Sequence, residues 1–560
     1  MLKTITSVLR LLAWPVTVGI VAIIALVALS RLENDLRSAL FALCGIGLLA
    51  ALLLVASRRI AFSVYSALAL GLLVALPSMV KARMTGMSLH SFDLALLADP
   101  QMLRFFLTGF GAYAVPVLAI AACMIAAMTL IYRFEQPMKL KVKHAVLLVA
   151  APLLMVPLAL PGWASEGSYL FQGRHISALM VSLRELPELW ADHPLTARVK
   201  RVAGVEPYDA AFQCDVQARK PDVVIVHAES QLPPEWMGAA PIAALRDTFK
   251  SQDGVVHRFG TETYGGGSWI TVSSVMAGLS GADFGRMRQF IAKSLVGNVR
   301  ASVPEILAQC GYDTTALLGM AYDQFSLGPL LTSLGIEEVH DPAEVGIASM
   351  SARDALYFDA ALKRLQEKRA ASARAQFLYV ETMFTHSPYD ETLEPEMVLD
   401  GEPFSADPVE NEYLRRLVIA RHDLDAFKEQ IAKDSGPNGT IVLEYGDHRP
   451  MVELDSGTVQ LADWRSDAYD TYFSFRDYGA ATRPLVAPQR MDAAFLGYWL
   501  IEAGGIAKGG IIDDMAQLRE RCGGRFHLCD DAGAADAVLS RRVESGLLTL
   551  RPLAGNSATN

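Results

Sequence analysis

The chain has 560 residues, 52% of them apolar, a formal net charge of −10 and six cysteines. That length allows several domains. The acidic balance argues against a nucleic-acid partner, and six cysteines are too few for a disulfide scaffold.

The apolar excess lies at the start of the chain. Five runs, roughly 12–30, 39–56, 60–80, 112–133 and 144–161, each have the length of a bilayer-spanning helix. A signal peptide would be one such run, not five. Buried helices of a soluble protein are a poor alternative, because runs such as ALFALCGIGLLAALLLVA carry no charge. Lys3, Arg10, Arg58, Arg59, Arg133, Lys139, Lys141 and Lys143 gather on one side of these runs. The positive-inside rule then puts the N-terminus in the cytoplasm and everything after about residue 161 outside. The segment 81–111 is amphipathic and is expected on the outer membrane surface.

Residues 162–219 read as a connector, with helical spacing in HISALMVSLRELPELWADH. From residue 220 the pattern changes. PDVVIV (221–226), GVVHRF (254–259), DTTALLG (313–319), AQFLYVE (375–381) and TIVLEY (440–445) are short strand-like runs. Helix-like segments such as VPEILAQCG and NEYLRRLVIARHDLDAFKEQIAK separate them. Alternation of this kind predicts an α/β domain over 220–504, with a largely parallel sheet covered by helices on both faces. Residues 505–560 are expected to form a C-terminal extension. Cys44 and Cys123 fall in apolar runs, Cys522 and Cys529 are close enough to pair, and Cys214 and Cys310 read as free and buried.

Parallel sheets bind ligands at the carboxyl ends of their strands, and polar residues gather there. VVIVHAES ends in Glu229 and Ser230. ETYGGGSWITVSSVMAGLSG places three glycines before Ser268, Thr271, Ser273 and Ser274. FLYVETMFTHSPY puts His386 just past a strand, and TIVLEYGDHRP does the same for Asp447 and His448. Singly these read as a cap, a flexible turn and a surface histidine. Together Glu229, Asp447 and His448 make a plausible shell for Zn²⁺ or Mn²⁺. Thr271 is expected as an additional ligand and as the nucleophile, its hydroxyl activated by the metal. The glycines and a helix N-terminus leave room for a tetrahedral anion. His386 is expected to protonate the leaving group or to hold a substrate.

In this order the motifs resemble the alkaline phosphatase and sulfatase superfamily. The likeness is greatest to its membrane-anchored phosphoglycerol and phosphoethanolamine transferases, such as lipoteichoic acid synthase. It covers most of the chain in architecture and about 220–450 in motifs. The resemblance implies five transmembrane helices (1–161) ahead of a sulfatase-like catalytic domain on the periplasmic face of a bacterial inner membrane. It implies a metal held by Glu229, Thr271, Asp447 and His448, with Thr271 as nucleophile and His386 near the substrate. The implied activity is transfer of phosphoglycerol from a membrane phospholipid, expected to be phosphatidylglycerol, to a hydroxyl of a glycan or glycolipid through a phospho-threonine. The segment LLGMAYDQFSLGPLLTSLG departs from the histidine, tryptophan and arginine of lipoteichoic acid synthase. Tyr322, Asp323 and Gln324 stand roughly where such substrate contacts would be, and Ser268 is a further expected substrate contact outside that segment. The two rivals are a phosphoethanolamine transferase with the same machinery and a catalytically silent lipid-binding membrane protein. No Cys/Ser-x-Pro-x-Arg setting follows Gly267, which argues against a sulfatase.

Overall fold

The computed structural model describes residues 15–85, 88–93, 111–162, 173–190, 193–202, 204–215, 219–452, 469–479, 485–526 and 528–551. It divides into two compact units, Met1–Pro187 and Glu188–Asn560. Most of the amphipathic segment 81–111 lies outside the described residues.

The first unit is helical: α1 (Pro15–Leu32), α2 (Leu36–Ser57), α3 (Ile60–Thr85), α4 (Gly111–Phe134) and α5 (Val142–Ala159), then the short α6 (Ile176–Ser182). Among the described residues four helices, α2 to α5, are long and apolar enough to cross a membrane. Their surfaces suit lipid: Leu118, Ile125, Leu147 and Leu154 are all more than half exposed. Asp35 caps α2 by accepting the N–H of Ser38 at 2.7 Å. The buried Glu33 accepts from the N–H of Ile176 at 2.7 Å, which fixes the start of α6.

The second unit is built on an eight-stranded sheet. In chain order the strands are β1 (Asp222–Ala228), β2 (His257–Gly260), β3 (Tyr312–Leu317), β4 (Glu338–His340), β5 (Ala375–Glu381), β6 (Thr440–Gly446), β7 (Asp470–Tyr478) and β8 (Arg490–Asp492). Their order across the sheet is β4-β3-β5-β1-β6-β7-β2-β8. Only β7 runs antiparallel, to both β6 and β2. The expected parallel sheet is therefore mostly observed, with β4, β7 and β8 added to the five strands read from the sequence.

The period of two sorts the central strands between two cores. Val223 and Ile225 of β1 join Ile441 and Leu443 of β6 in one core, with α7 (Ser268–Ala277) and α10 (Ala493–Ala503) packed on it. Val224, Val226 and Val442 face the other way, toward α8 (Asp354–Ala371) and α9 (Pro408–Lys433). Residues after 505 enter the first core through Ile511, Met515 and Leu539. Cys214 and Cys310, expected as free thiols, instead form a disulfide, and Cys522 pairs with Cys529. The sequence reading missed the first pair because the partners are 96 residues apart. Only the fold brings Gln213–Cys214 near the end of the helix that precedes β3.

Candidate metal and nucleophile site

Three neighbouring parallel strands, β5, β1 and β6, end at one edge. His227 lies in register with Glu381 on one side and with Tyr445 on the other. Each strand carries a polar pair two residues apart on the face toward α7: Tyr379 and Glu381, His227 and Glu229, Tyr445 and Asp447. Spacing by two points both members to one side of the sheet.

Close backbone approaches hold the strand ends together. A Cβ on Gly446 would stand 1.9 Å from the carbonyl oxygen of Gln231, so only glycine lets the turn after β1 meet the end of β6. Ser230 sits at φ 50°, an uncommon conformation for a non-glycine residue. Its N–H donates to Asp447 Oδ1 at 2.7 Å and its hydroxyl to Glu229 Oε1 at 2.7 Å. Gly265, Gly266 and Gly267 take φ of 68°, 153° and 88°. The N–H of Gly265 donates to the carbonyl of Arg449 at 2.8 Å. This turn delivers Ser268 as the first residue of α7.

The side chains converge. The ligand atoms of His227, Glu229 and Asp447 lie within 4.8 Å of one another. His448 Nε2 is 3.5 Å from Glu229 Oε1 and 3.2 Å from Asp447 Oδ2. The Ser268 hydroxyl is 3.4 Å from Glu229 Oε2 and 3.4 Å from His448 Nε2. All five residues are buried. Burial pushes the Asp447 carboxyl up, but His448 and His227 outweigh it and hold it below the ordinary carboxylate range. Burial opposes charge on His227, yet Tyr445, Asp447 and Glu229 raise it well above an ordinary imidazole. Such a pocket holds whatever cation is at hand, proton or metal. Asp447 Oδ2 is buried and receives no hydrogen bond, a cost that a cation removes. The donor set fits a divalent metal: two carboxylates, imidazole nitrogen and a hydroxyl.

Glu229, Asp447 and His448, read from the sequence as ligands, are thus brought together. Thr271 is not brought in with them. Its hydroxyl donates to the main-chain carbonyl of Asp447 at 2.9 Å, one turn inside α7. The hydroxyl among the carboxylates and imidazoles belongs to Ser268, three residues earlier. His386 makes no hydrogen bond to the cluster among the described residues; its Nδ1 lies against the carbonyl of Ser387 and its own carbonyl accepts from Arg416 at 3.0 Å. Tyr322 pairs its hydroxyl with Thr332 at 2.9 Å, and Asp323 is exposed. Their segment does reach the start of α7, where the ring of Phe325 stacks on Trp269 at 3.8 Å. His227 was missed by the sequence reading. Its place two residues before Glu229, at the end of a buried strand, was the available signal.

No family model matches the chain. An uncharacterized protein of Haemophilus influenzae is 23% identical over 305 residues, 51% of this chain and 54% of that protein. The chain thus spans about half the length of the curated relative it matches. Among solved structures, a Streptococcus pyogenes phosphoglycerol transferase in complex with sn-glycerol-1-phosphate aligns at TM-score 0.48 and 13% identity, over 64% of this chain and 94% of that one. A Listeria monocytogenes lipoteichoic acid synthase aligns at 0.43 and 17%, over 55% and 78%. The integral membrane lipooligosaccharide phosphoethanolamine transferase A of Neisseria meningitidis aligns at 0.42 and 12%, over 79% and 84%. These structural neighbours are phosphotransferases of the alkaline phosphatase and sulfatase superfamily.

Proposed function

We propose that the protein is a membrane-bound, metal-dependent phosphotransferase. On this reading it moves phosphoglycerol from phosphatidylglycerol to a hydroxyl of an extracytoplasmic glycan or glycolipid, with Ser268 as the nucleophile. Five membrane-spanning helices, α1 to α5, anchor it in a bacterial inner membrane with the second unit outside. The observation that carries the reading is the Ser268 hydroxyl, set at a helix N-terminus and within 3.4 Å of both Glu229 and His448.

Glu229, Asp447, His448 and the Ser268 hydroxyl would hold the metal. When bound, a Zn²⁺ or Mn²⁺ ion supplies Lewis acidity that favours the alkoxide of the serine and offsets charge on the phosphate. The chain's own groups do the rest. The Ser268 proton passes to the neighbouring carboxylate or imidazole, and Oγ attacks phosphorus. The Ser268 Oγ–P bond forms, the bond from phosphorus to the diacylglycerol oxygen breaks, and that oxygen takes up a proton as diacylglycerol leaves. N–H groups at the start of α7 stabilise the phosphate oxygens. In the second half an acceptor hydroxyl attacks phosphorus, its proton is taken by the same groups, and Ser268 Oγ departs and is reprotonated. Thr271 braces the Asp447 backbone and takes no part in bond making. On this reading His386 is a substrate contact.

Phosphoethanolamine transfer is the second reading. The observation favouring it is the stacked aromatic pair Trp269 and Phe325, the latter two residues after the exposed Asp323, a combination that suits an ammonium group. Supplying the purified protein separately with phosphatidylglycerol and phosphatidylethanolamine decides. Diacylglycerol released from phosphatidylglycerol supports the first reading. Release from phosphatidylethanolamine alone replaces it with the second, and release from neither in the presence of Zn²⁺ or Mn²⁺ and a glycan acceptor overturns both.

A further inference from the structure

His227, Tyr379 and Glu381 have no role in the chemistry above, yet they are among the most enclosed polar groups of the second unit, at 1%, 0% and 2% exposure. Their hydrogen bonds run in one direction. Glu381 accepts at both oxygens, at Oε2 from the N–H of Gly319 and at Oε1 from the hydroxyl of Tyr379, each at 2.9 Å. A phenol whose proton is committed to Glu381 has only its oxygen left for His227 Nδ1, 3.1 Å away. Nδ1 therefore carries the ring proton and donates it, with the Tyr445 hydroxyl at 3.2 Å as a second acceptor. In the neutral ring, the form that binds a metal, Nε2 then presents its lone pair.

That lone pair faces Asp447 Oδ2 at 3.2 Å and Glu229 Oε2 at 3.9 Å. Asp447 Oδ2 receives no hydrogen bond. An imidazole nitrogen and a carboxylate oxygen buried this close hold a cation between them, a proton when no metal is bound and a metal ion when one is. We propose that His227 Nε2 is a direct ligand of that cation, and that Tyr379 and Glu381 are positioning residues that fix the ring tautomer. The ligand set then holds two imidazoles, from His227 and His448, beside Glu229, Asp447 and Ser268. This inference rests on the reading of the site as a metal centre.

The test uses full-length protein in detergent, stripped with chelator and titrated with Zn²⁺ and with Mn²⁺ by calorimetry. Pulsed electron paramagnetic resonance of the Mn²⁺-loaded protein counts imidazole nitrogens on the metal. The expected result is two imidazoles in the wild type and one in His227→Ala, with affinity lowered about 100-fold or more. Tyr379→Phe and Glu381→Gln are expected to weaken binding by about 10- to 100-fold, the range for partners that orient a metal ligand. Thermal melting checks folding, and His227→Gln replaces His227→Ala if the latter does not fold. One imidazole in the wild type, with affinity unchanged in His227→Ala but lost in Glu229→Gln, overturns this inference and leaves the metal centre standing. No stoichiometric binding by the wild type overturns both.

Discussion

Two hydroxyls one helical turn apart at the start of α7 have different surroundings. Ser268 Oγ stands among ionisable groups, whereas Thr271 Oγ1 is spent on a backbone carbonyl. Ser268→Ala is expected to abolish diacylglycerol release from the lipid donor. Thr271→Val should keep turnover within a few-fold and lower stability by about 1 kcal/mol, the net worth of one hydrogen bond. A dead Thr271→Val with an active Ser268→Ala would reverse the assignment. Asp354, at the start of α8, makes a separate prediction. Burial pushes its carboxyl up to about 7 from 3.8. Oδ1 accepts from the N–H groups of Met383 and Phe384 at 3.2 and 3.0 Å, and Oδ2 has no hydrogen-bond partner. A group with a raised folded pKa adds stability that is fully present below its unfolded pKa and is lost as pH rises through the folded one. Stability should therefore fall between about pH 4 and pH 7, by on the order of 4 kcal/mol from this group. Asp354→Asn keeps the Oδ1 acceptor and should flatten that part of the profile in denaturant melts. An unchanged slope would contradict the assignment.

At the scale of elements, the site depends on strand ends that meet because of glycine. Gly446→Ala forces a Cβ into the carbonyl of Gln231, 1.9 Å away on the existing backbone. The strand end must move, and with it Asp447 and His448. Turnover is expected to drop by at least 100-fold while the protein still melts cooperatively, because the change lies at the sheet edge. Retained full activity would mean that the junction is looser than argued. The same element explains what the sequence could reveal. β1, β5 and β6 are continuous apolar runs, as strands buried on both faces must be, so they were legible. β7 was not: DTYFSFRDY mixes charge with aromatics, and its antiparallel place between β6 and β2 is a matter of topology. The carboxylates and His448 were legible because polar residues after apolar strands stand out. Which of the two hydroxyls of SWIT stands among the carboxylates and imidazoles was not, because they are three residues apart and only the helix start at Ser268 separates them. His227 was hidden by its setting, since a histidine inside a strand reads first as a packed core residue.

For the whole molecule, the account needs the second unit on the oxidising side of the membrane. Two disulfides, Cys214–Cys310 and Cys522–Cys529, agree with such a compartment. Val398 is 92% exposed, which makes it a reporter position. Val398→Cys is expected to react with a membrane-impermeant maleimide in intact spheroplasts, and labelling only after lysis would place the unit in the cytoplasm. The central claim is a covalent phosphorylated serine in a membrane-anchored enzyme, and its direct test is mass spectrometry. Metal-loaded protein is incubated with phosphatidylglycerol without acceptor, then analysed intact and as peptides. The account predicts a mass gain of one phosphoglyceryl group on the peptide containing Ser268, absent in Ser268→Ala. An adduct at Thr271, or diacylglycerol released with no adduct at any time after mixing, would contradict it.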